Sequence, residues 1–327
     1  MCKERPDIVI IQETKKEEID KKLIGSVWGV RFKEWFFLPS VGRSGGILIM
    51  WDARVFRGSD SLLGNFSASV LLHPIGGGEE WWLTGVYGPC NPRDRKDFWV
   101  ELASVYGLCG DRWCIGGDFN VVRFPLEKLG GGRITRSMRN FDSFIRDTGL
   151  RDIVLNNTKY TWSNMRERLA CSIIDRFLFS MGWEEMVHSV RQEALVRATS
   201  DHCPIILDTN SFKWGPSPFR FENMWLREKG FKEKFKEWWE SSEQQGWEGY
   251  KFMEKLEAVK MEVKKCNREV FGDIIMEKNA ILKRIGELDE KELKMSLDER
   301  GREERGELRK KLEELIVKEE ISWNQKV

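Results

Sequence analysis

The 327-residue chain has few of the residues that build disulfide-linked or zinc-bound folds. It has seven cysteines, which is an odd number, no Cys-x-x-Cys pair and three histidines. We therefore expect neither a disulfide framework nor a structural zinc site. This cysteine usage is typical of an intracellular protein in a reducing compartment, and we expect the nucleus or the cytoplasm.

Long apolar runs and an excess of one charge are also absent. No stretch approaches the roughly 20 apolar residues that a membrane-spanning helix needs, and the opening residues contain no apolar core of a signal peptide. We therefore expect no membrane segment and no signal peptide. The 54 basic and 53 acidic residues nearly balance, so contact with a polyanion requires a local basic patch.

The composition changes near residue 220. All nine prolines lie at or before Pro218, and Glu and Lys dominate the later part. Apolar residues recur there at steps of three and four, namely Phe252, Leu256, Val259, Val263, Cys266 and Val270, then Leu308, Leu312, Leu315 and Ile316. This stripe predicts long amphipathic, coiled-coil-like helices over 231–327, preceded by a connector rich in proline and aromatic residues over 211–230. The stripe has to pack within the tail, on the first domain or on another chain, so we expect intramolecular packing or self-association.

Residues 1–210 consist of short apolar runs separated by Gly, Pro, Asn and Asp. Candidate strands are Asp7 to Gln12, Gly46 to Trp51, Ser67 to Leu72, Trp81 to Tyr87, Trp113 to Gly116, Lys159 to Ser163, Ser172 to Phe179 and Pro204 to Asp208. Two helices are predicted, one from Pro92 to about Tyr106 and one that Ser137 caps and Gly149 ends. Many strands and few helices predict a sheet-rich α/β or α+β domain.

Polar residues follow several of these strands directly. Glu13, Tyr87, Asp118 and the pair Asp201-His202 each stand where an apolar run ends or begins. Because a sheet places strand ends along one edge, these side chains can converge on one cleft. Each also has an ordinary interpretation, such as a helix cap for a glutamate or a turn for Gly-Asp-Phe-Asn, and only their joint occurrence favours a site.

The residue types suit metal-assisted hydrolysis of a phosphoester. Glu13 and Asp201 are hard oxygen ligands for Mg²⁺, or for Mn²⁺ in its place. Asp118 can orient or deprotonate an attacking water.

Four further side chains complete this hypothesis. Asn120 and Tyr87 can donate hydrogen bonds to phosphate oxygens as charge builds on them. His202 can carry a proton near neutral pH if a carboxylate raises its pKa. Asp175 interrupts an apolar run and needs a partner, so it is the candidate for that carboxylate.

Six motifs in order resemble the endonuclease/exonuclease/phosphatase superfamily, which has a DNase I-like fold. They are Ile-Gln-Glu-Thr (11–14), Val-Tyr-Gly-Pro (86–89), Gly-Gly-Asp-Phe-Asn (116–120), Tyr-Thr-Trp-Ser-Asn (160–164), Ile-Asp-Arg-Phe-Leu (174–178) and Ser-Asp-His-Cys-Pro-Ile (200–205). They are similar to the apurinic/apyrimidinic endonuclease branch. The segment Trp-Gly-Pro-Ser-Pro-Phe-Arg-Phe-Glu-Asn-Met-Trp (214–225) and the charged tail further resemble proteins of plant LINE-type non-LTR retrotransposons.

The resemblance implies a four-layer αββα sandwich of two packed, mostly antiparallel sheets, followed by a long-helix appendage. It implies a metal-dependent endonuclease that nicks DNA, with Glu13 as metal ligand and Asp201 beside the metal. It gives Tyr87, Asn120 and His202 contacts to the phosphate, makes Asp118 the residue that positions the water, and pairs Asp175 with His202. It also places Trp162 near a flipped or abasic sugar, although a core position in a strand remains an equal alternative.

The chain departs from the family pattern at both ends. The family begins with a strand that carries an asparagine upstream of the Gln-Glu-Thr motif, and complete elements continue into a reverse transcriptase. We therefore expect a truncated domain whose inner sheet exposes an edge and whose site lacks one amide. Two alternatives to the endonuclease stay open, namely a phosphatase or phosphodiesterase of the same superfamily and an inactive remnant that binds nucleic acid or protein.

Contacts with nucleic acid are less marked in the sequence. Arg133, Arg136 and Arg139 follow a run of three glycines just after the Asp118 motif. They can hold phosphates that flank the scissile bond. An ordinary solvated glycine loop with surface arginines is the equal alternative.

Overall fold

The computed structural model describes residues 5–42, 45–155, 157–166, 168–187, 189–197, 200–209, 230–241, 247–270, 272–294 and 297–324. The chain divides into two compact units, Met1–Trp214 and Gly215–Val327. The predicted connector over 211–230 lies outside the described residues except for Gly230.

The first unit contains strands in two main sheets. The strands are β1 (Ile8–Gln12), β2 (Lys33–Leu38), β3 (Ile47–Asp52), β4 (Phe56–Leu63), β5 (Ser67–Pro74), β6 (Trp81–Tyr87), β7 (Trp113–Asp118), β8 (Arg151–Asp152), β9 (Trp162–Ser163), β10 (Cys171–Ser172), β11 (Asp175–Phe179), β12 (Arg191–Ala194) and β13 (Ile205–Asp208). The smaller sheet has the order β1-β3-β2 and the larger has the order β4-β5-β6-β7-β11-β8. Among the described strand pairs, β6 with β7 is parallel and the others are antiparallel.

In the described part of this unit four α-helices accompany these strands, namely α1 (Lys21–Val27), α2 (Arg95–Cys109), α3 (Arg136–Asp147) and α4 (Met181–Glu184). Ile24 of α1 packs with Leu48 and Met50 on the outer face of the smaller sheet. Helices α2 and α3 cover the outer face of the larger sheet, where Phe98 and Phe141 pack around Phe119. A third apolar core fills the space between the sheets. The layers therefore run helix, sheet, sheet, helix, which confirms the predicted sandwich.

Strand β3 has apolar side chains on both faces, and every one of its residues is buried. One face meets α1 and the other meets the larger sheet. Gly85 in β6 permits close approach of the sheets, because a Cβ there would lie 2.9 Å from the Ile10 side chain and 3.0 Å from that of Ile47. The core between the sheets thus fixes the positions of the strand ends that carry the candidate site.

Side-chain amides attach the β12–β13 hairpin to the domain. Buried Gln192 accepts a hydrogen bond from Phe177 N at 2.7 Å and donates one to the Ile153 carbonyl at 2.8 Å. Asn157 makes two bonds to the backbone of Ala194. These bonds hold the hairpin beside β11 and so position the segment that precedes β13.

The second unit is helical, with α5 (Phe231–Glu240), α6 (Glu248–Val270), α7 (Gly272–Lys294) and α8 (Glu299–Asn324). Phe231 of α5 packs against Val259 and Val263 of the predicted stripe. Between α7 and α8, the buried Arg305 guanidinium makes a bidentate pair with Glu292 at 2.7 and 2.9 Å. The tail therefore packs at least in part on itself, which is one of the two arrangements that the sequence predicts. None of the described helices is long and apolar enough to cross a membrane.

The boundaries differ from the sequence prediction in several places. Helix α3 is capped two residues earlier than expected, because Thr135 and not Ser137 accepts the bond from Met138 N. Helix α2 starts at Arg95 and not at Pro92. The expected strand from Ser172 to Phe179 is divided into β10 and β11, and the expected strand from Lys159 shortens to two residues.

Candidate active site

Two buried aspartates face each other at the centre of the site. Strands β7 and β11 pair in a register that sets Asp175 opposite Asp118, and both side chains lie on the inner face of the larger sheet. Their side chains are almost fully buried. The spacing of the motifs along the sequence does not determine this register, which depends on how β11 pairs antiparallel with β7.

His202 forms a dyad with Asp175. Its Nδ1 lies 3.0 Å from both carboxylate oxygens of Asp175, and the ring is partly buried. Burial opposes the charged form of His202, but the hydrogen bond and charge of Asp175, with Asp118 and Asp201, outweigh it and raise the pKa to about 9. The predicted pairing of Asp175 with His202 is thus present in the geometry, and the ring is an imidazolium at neutral pH.

Replacing Asp175 tests the electrostatic part of this dyad. In the metal-free protein we expect the His202 ring to titrate near pH 9, and we expect the pKa in Asp175→Asn to fall towards the ordinary value of 6.5. The sign follows from the loss of the negative partner that holds the imidazolium, which leaves burial, which lowers the pKa, opposed only by the charges of Asp118 and Asp201. Proton NMR titration of the ring resonances measures both values. An unchanged midpoint in Asp175→Asn would contradict the dyad.

The pKa of Asp118 is raised to about 7. Burial is the largest cause, and the negative charge of Asp175 adds to it, while His202 and the backbone N–H of Asn120 act in the opposite direction. Asp118 is therefore a carboxylate that gains or loses a proton near neutral pH. That is the property a general base needs.

Glu13 and Tyr87 contact each other and line the same cleft as the two aspartates. The Tyr87 hydroxyl donates a short hydrogen bond to Glu13 Oε1, and burial with that bond raises the pKa of Tyr87 well above its ordinary value. Glu13 follows β1 in a left-handed backbone conformation with φ of 51°. A non-glycine residue rarely adopts this conformation, and such residues cluster at functional sites. The negative charge of Glu13 also contributes to the raised pKa of Asp118.

Asn120 ties two strand ends together and is the second left-handed residue of the site, with φ of 52°. Its Nδ2 donates to the Gly88 carbonyl at 2.8 Å, and its backbone N–H donates to Asp118 Oδ1 at 2.7 Å. Gly88 in turn donates to the Asp118 carbonyl at 2.7 Å. Only glycine fits at position 88, because a Cβ there would lie 2.2 Å from the Phe119 carbonyl oxygen. Asn120 therefore positions Asp118, and one of its amide donors is already engaged.

Trp162 and Asp201 contact each other beside His202. The Trp162 indole N–H donates to Asp201 Oδ2 at 2.9 Å, and the indole packs on Val122, Met138 and Ile174. This bond and the His202 charge outweigh burial and lower the pKa of Asp201. Trp162 is half-buried and packs on the core, as one of the two alternatives predicted, while its place near a flipped or abasic sugar stays a prediction.

Thr161 is a functional candidate that the sequence reasoning passed over. Its buried hydroxyl accepts hydrogen bonds from Ile174 N and Asp175 N, both at 3.1 Å. Its carbonyl accepts from Cys203 N at 2.6 Å. Thr161 thus joins the backbone of Asp175 to the segment that carries His202. The only signal in the sequence was its place beside Trp162 in the Tyr-Thr-Trp-Ser-Asn motif.

We expect Thr161→Val to destabilise the first unit. The substitution leaves the two N–H groups without their acceptor, at about 1–3 kcal/mol for each unsatisfied donor. Thr161→Ser keeps the hydroxyl and loses one methyl, which costs about 1 kcal/mol. Urea unfolding of both variants measures the difference, and a valine variant as stable as the serine variant would contradict this role.

The three arginines stand apart from the aspartate pair. Arg133 lies in the loop between a short 3-10 helix at Pro125–Glu127 and α3, while Arg136 and Arg139 lie on α3. All three are exposed. Gly130, Gly131 and Gly132 before them have positive φ, which glycine adopts without strain. The structure places no arginine of this group in contact with the described catalytic candidates.

The donor set fits a divalent cation. Asp118, Asp175 and His202 each offer a ligand atom within 4.8 Å of the others. The buried carboxylates of Asp118 and Asp175 repel each other, and Glu13 adds to this repulsion, which contributes to the raised pKa of Asp118. A bound cation would relieve the repulsion. This group differs from the predicted ligands Glu13 and Asp201, whose role as metal ligands stays a prediction.

Several solved structures are similar to this chain, and the first described below agrees with the observed fold. The endonuclease domain of TRAS1, a telomere-specific non-LTR retrotransposon, is 15% identical, with a TM-score of 0.50 over 65% of this chain and 90% of that chain. TDP2 from D. rerio in complex with a single-strand DNA product is 15% identical, with a TM-score of 0.41 over 61% and 84%. The human Nocturnin catalytic domain with bound sulfate is 15% identical, with a TM-score of 0.40 over 63% and 82%.

Two comparisons of the sequence were made, and one of them gives a match. A search of curated proteins finds no match. The sequence profile of the endonuclease/exonuclease/phosphatase family matches residues 3–202, which is more than half of the chain and includes all the candidate catalytic residues. The chain therefore belongs to the endonuclease/exonuclease/phosphatase family.

Proposed function

We propose that the first unit hydrolyses phosphodiester bonds of DNA with the help of a divalent metal ion and so makes nicks. The observation that carries this proposal is that Asp118, Asp175 and His202 lie together and line the same cleft as Glu13 and Tyr87. The TRAS1 endonuclease domain supports the retrotransposon-type assignment through its fold, and residues 214–225 support it through their sequence.

Asp118 acts as the base in this proposal. As a carboxylate it accepts a proton from the water that attacks phosphorus, and the bond from phosphorus to the leaving oxygen breaks. The pKa of about 7 lets Asp118 exchange that proton with solvent at neutral pH. Asn120 keeps the carboxylate oriented through its backbone N–H.

His202 and Tyr87 stabilise the charge on the phosphate. His202 is protonated because its pKa is about 9, and Asp175 holds the ring at Nδ1, so that Nε2 is left to donate to a phosphate oxygen. The Tyr87 hydroxyl stays protonated at neutral pH, and its one proton goes to Glu13, so it would become a second donor to the phosphate once Glu13 binds the metal ion instead. A bound divalent ion would polarise the phosphate oxygens and offset their charge.

We propose Mg²⁺, with Mn²⁺ as a substitute, because the donors are mostly carboxylate oxygens. Glu13 at the rim, with Asp201 nearby through Trp162, would hold it beside the carboxylates of Asp118 and Asp175, while His202, which is protonated in this proposal, has no lone pair left to bind the metal. Calorimetric titration of metal into the wild type and Glu13→Gln separates these ligands. A weaker binding constant in the variant supports Glu13 as a ligand.

The arginine segment is the proposed contact to flanking phosphates. Each phosphate contact contributes about −0.9 to the slope of log binding constant against log salt, so alanine at 133, 136 and 139 should make the slope less steep by about 2–3. Alanine at the exposed Lys232, Lys234 and Lys236 of α5 removes the same charge elsewhere and is the matched control. Fluorescence anisotropy of labelled duplex DNA over a salt series measures both slopes. An unchanged slope in the arginine variant would remove this contact.

Assays with two substrates distinguish a DNA endonuclease from a phosphatase that acts on small phosphoesters. The purified chain with Mg²⁺ is offered supercoiled plasmid and, separately, inositol phosphates. Conversion of plasmid to the nicked circle without release of inorganic phosphate supports the proposal. Phosphate release without nicking would assign the site to a phosphatase of the same family instead.

A further inference from the structure

A half-buried arginine lies at the start of α2, beside the end of β7. Arg95 is the first residue of this helix, and Phe98, three residues later, is fully buried with its ring centroid 6.3 Å from that of Phe119. Phe119 stands between Asp118 and Asn120 in the sequence. Because the core anchors the helix at this point, the Arg95 side chain extends from a fixed base next to the loop that carries the proposed general base.

The Arg95 guanidinium donates hydrogen bonds to three separate segments. Its Nη2 donates to the Asn120 carbonyl at 2.9 Å and to the Cys90 carbonyl at 3.4 Å. Its Nε donates to the Pro89 carbonyl at 3.4 Å, and its Nη1 donates to Ser137 Oγ at 2.9 Å in the first turn of α3. One rigid, planar group therefore joins the loop after β6, the loop after β7 and the start of α3.

These partners differ from those of a buried arginine in an ion pair. Burial lowers the pKa of Arg176, but the carboxylates of Asp152 and Glu127 outweigh it and raise that pKa. Burial also lowers the pKa of Arg95, and the neighbour that opposes this change is Cys90 and not a carboxylate. A guanidinium that loses hydration without a carboxylate partner costs free energy. The contacts to backbone carbonyls are what Arg95 gains in return.

Asn120 connects Arg95 to Asp118. The left-handed backbone of Asn120 directs its N–H to Asp118 Oδ1 and lets its Nδ2 reach the Gly88 carbonyl. Arg95 holds the carbonyl of the same residue. A non-glycine residue keeps a positive φ only where its surroundings hold it in place. The bonds on both sides of Asn120 therefore fix the conformation that orients the Asp118 carboxylate.

We propose that Arg95 is a positioning residue, which holds the loops after β6 and β7 together and, through Asn120, keeps the Asp118 carboxylate oriented for reaction. Arg95 itself needs no contact with the substrate. Lysine cannot take its place, because an ammonium group lacks the planar set of donors that reaches several carbonyls at once. The effect on catalysis rests on the proposed function, whereas the effect on the order of the two loops does not.

Hydrogen exchange in the metal-free full chain tests this role without an assay of nicking. The amides of Gly88 and Asn120 both donate to Asp118, the first to its carbonyl and the second to Oδ1. In Arg95→Met, which keeps an apolar stem, we expect both amides to exchange about tenfold faster. The amides of β5 and β6 should keep their rates, which shows that the variant is folded.

Kinetics separate positioning from a direct contact with the phosphate. We expect Arg95→Met to lower kcat for nicking by about 10–100-fold while KM stays within about threefold, because DNA still binds but the base is displaced. Arg95→Lys should behave like Arg95→Met in both measurements. Guanidinium ion, added to Arg95→Ala well below the concentrations that unfold proteins, should restore the slow exchange of Gly88 and Asn120, and methylammonium should not.

Lys96→Met is the matched control, since it removes the same charge from the exposed neighbour of Arg95 on α2. It should leave exchange and nicking unchanged. Unchanged exchange at Gly88 and Asn120 in folded Arg95→Met would overturn the proposal. Full recovery in Arg95→Lys would also overturn it, as would a rise in KM with kcat unchanged, which would make Arg95 a phosphate contact. Faster exchange in Arg95→Met of a chain that does not nick DNA would support the bridge and contradict the proposed function alone.

Discussion

Asp118→Asn should lose about 10³-fold in the rate of DNA nicking while the fold is retained. Amide nitrogen cannot accept the proton of the attacking water, and loss of a general base costs about 10²–10⁴ in rate. Asparagine has the same shape, and its oxygen can still accept the bond from Asn120 N. Gel assay of plasmid conversion at pH 7.5 or above measures the rate.

The direction in which Asp118→Asn changes the stability can be predicted as well. The pKa of Asp118 is raised in the fold, so the metal-free wild type loses stability as pH rises from about 4 to about 7, because the buried carboxylate ionises beside Asp175. Asp118→Asn lacks this loss and should unfold at a temperature equal to or above that of the wild type at pH 8.

Asp97→Asn, an exposed carboxylate on α2, is the matched control and should keep its nicking rate. An inactive Asp118→Asn that is also unfolded would not support a chemical role. A variant that folds and still nicks within tenfold of the wild type would contradict Asp118 as the base.

His202→Ala should also lose about 10³-fold in nicking, since it removes the charged donor to the phosphate. It leaves the buried carboxylate of Asp175 without its imidazolium partner. Asp175→Asn should therefore be milder than His202→Ala, because the ring remains in place with a lower pKa. We expect the difference between these two variants to be largest below about pH 6.5, where His202 in Asp175→Asn is still charged, and to shrink above pH 7, where it loses its charge.

His73→Ala is the natural control for a lost imidazole. His73 lies at the end of β5, where its Nδ1 is 3.2 Å from Glu80 and its Nε2 contacts Ser59, away from the aspartate pair. It should keep the nicking rate within about twofold, as surface substitutions usually have small effects. Equal losses in His73→Ala and His202→Ala would show that the effect is not specific to the site.

Much of the fold could be predicted from the sequence. Strands β5, β6 and β7 were located to within a few residues because their apolar runs are bounded by turn residues. Strand β4 was missed, since its middle, Arg-Gly-Ser-Asp-Ser, is polar and lies at the edge of the larger sheet. Strand β12 was missed for a similar reason, because backbone pairing with β13 and the amide of Asn157 hold a polar segment there.

The site was less accessible to sequence reasoning than the fold. The motifs indicated which side chains carry the chemistry, and Asp175 was expected to need a partner because an isolated buried carboxylate is costly. Asp118 lies opposite Asp175 because of the register between β7 and β11, which are neighbours in the sheet but far apart in the sequence. No local sequence pattern predicts that register. Thr161 acts through hydrogen bonds to backbone groups, and such contacts appear only when the chain segments are in place.

The most direct test of the account is metal-dependent nicking of supercoiled plasmid by the full chain. Mg²⁺ should produce nicked circles with the wild type, EDTA should stop the reaction, and the double variant Asp118→Asn/His202→Ala should be inactive although it folds. Nicking that survives EDTA, or that persists in the folded double variant, would contradict a hydrolytic centre built on Asp118, Asp175 and His202.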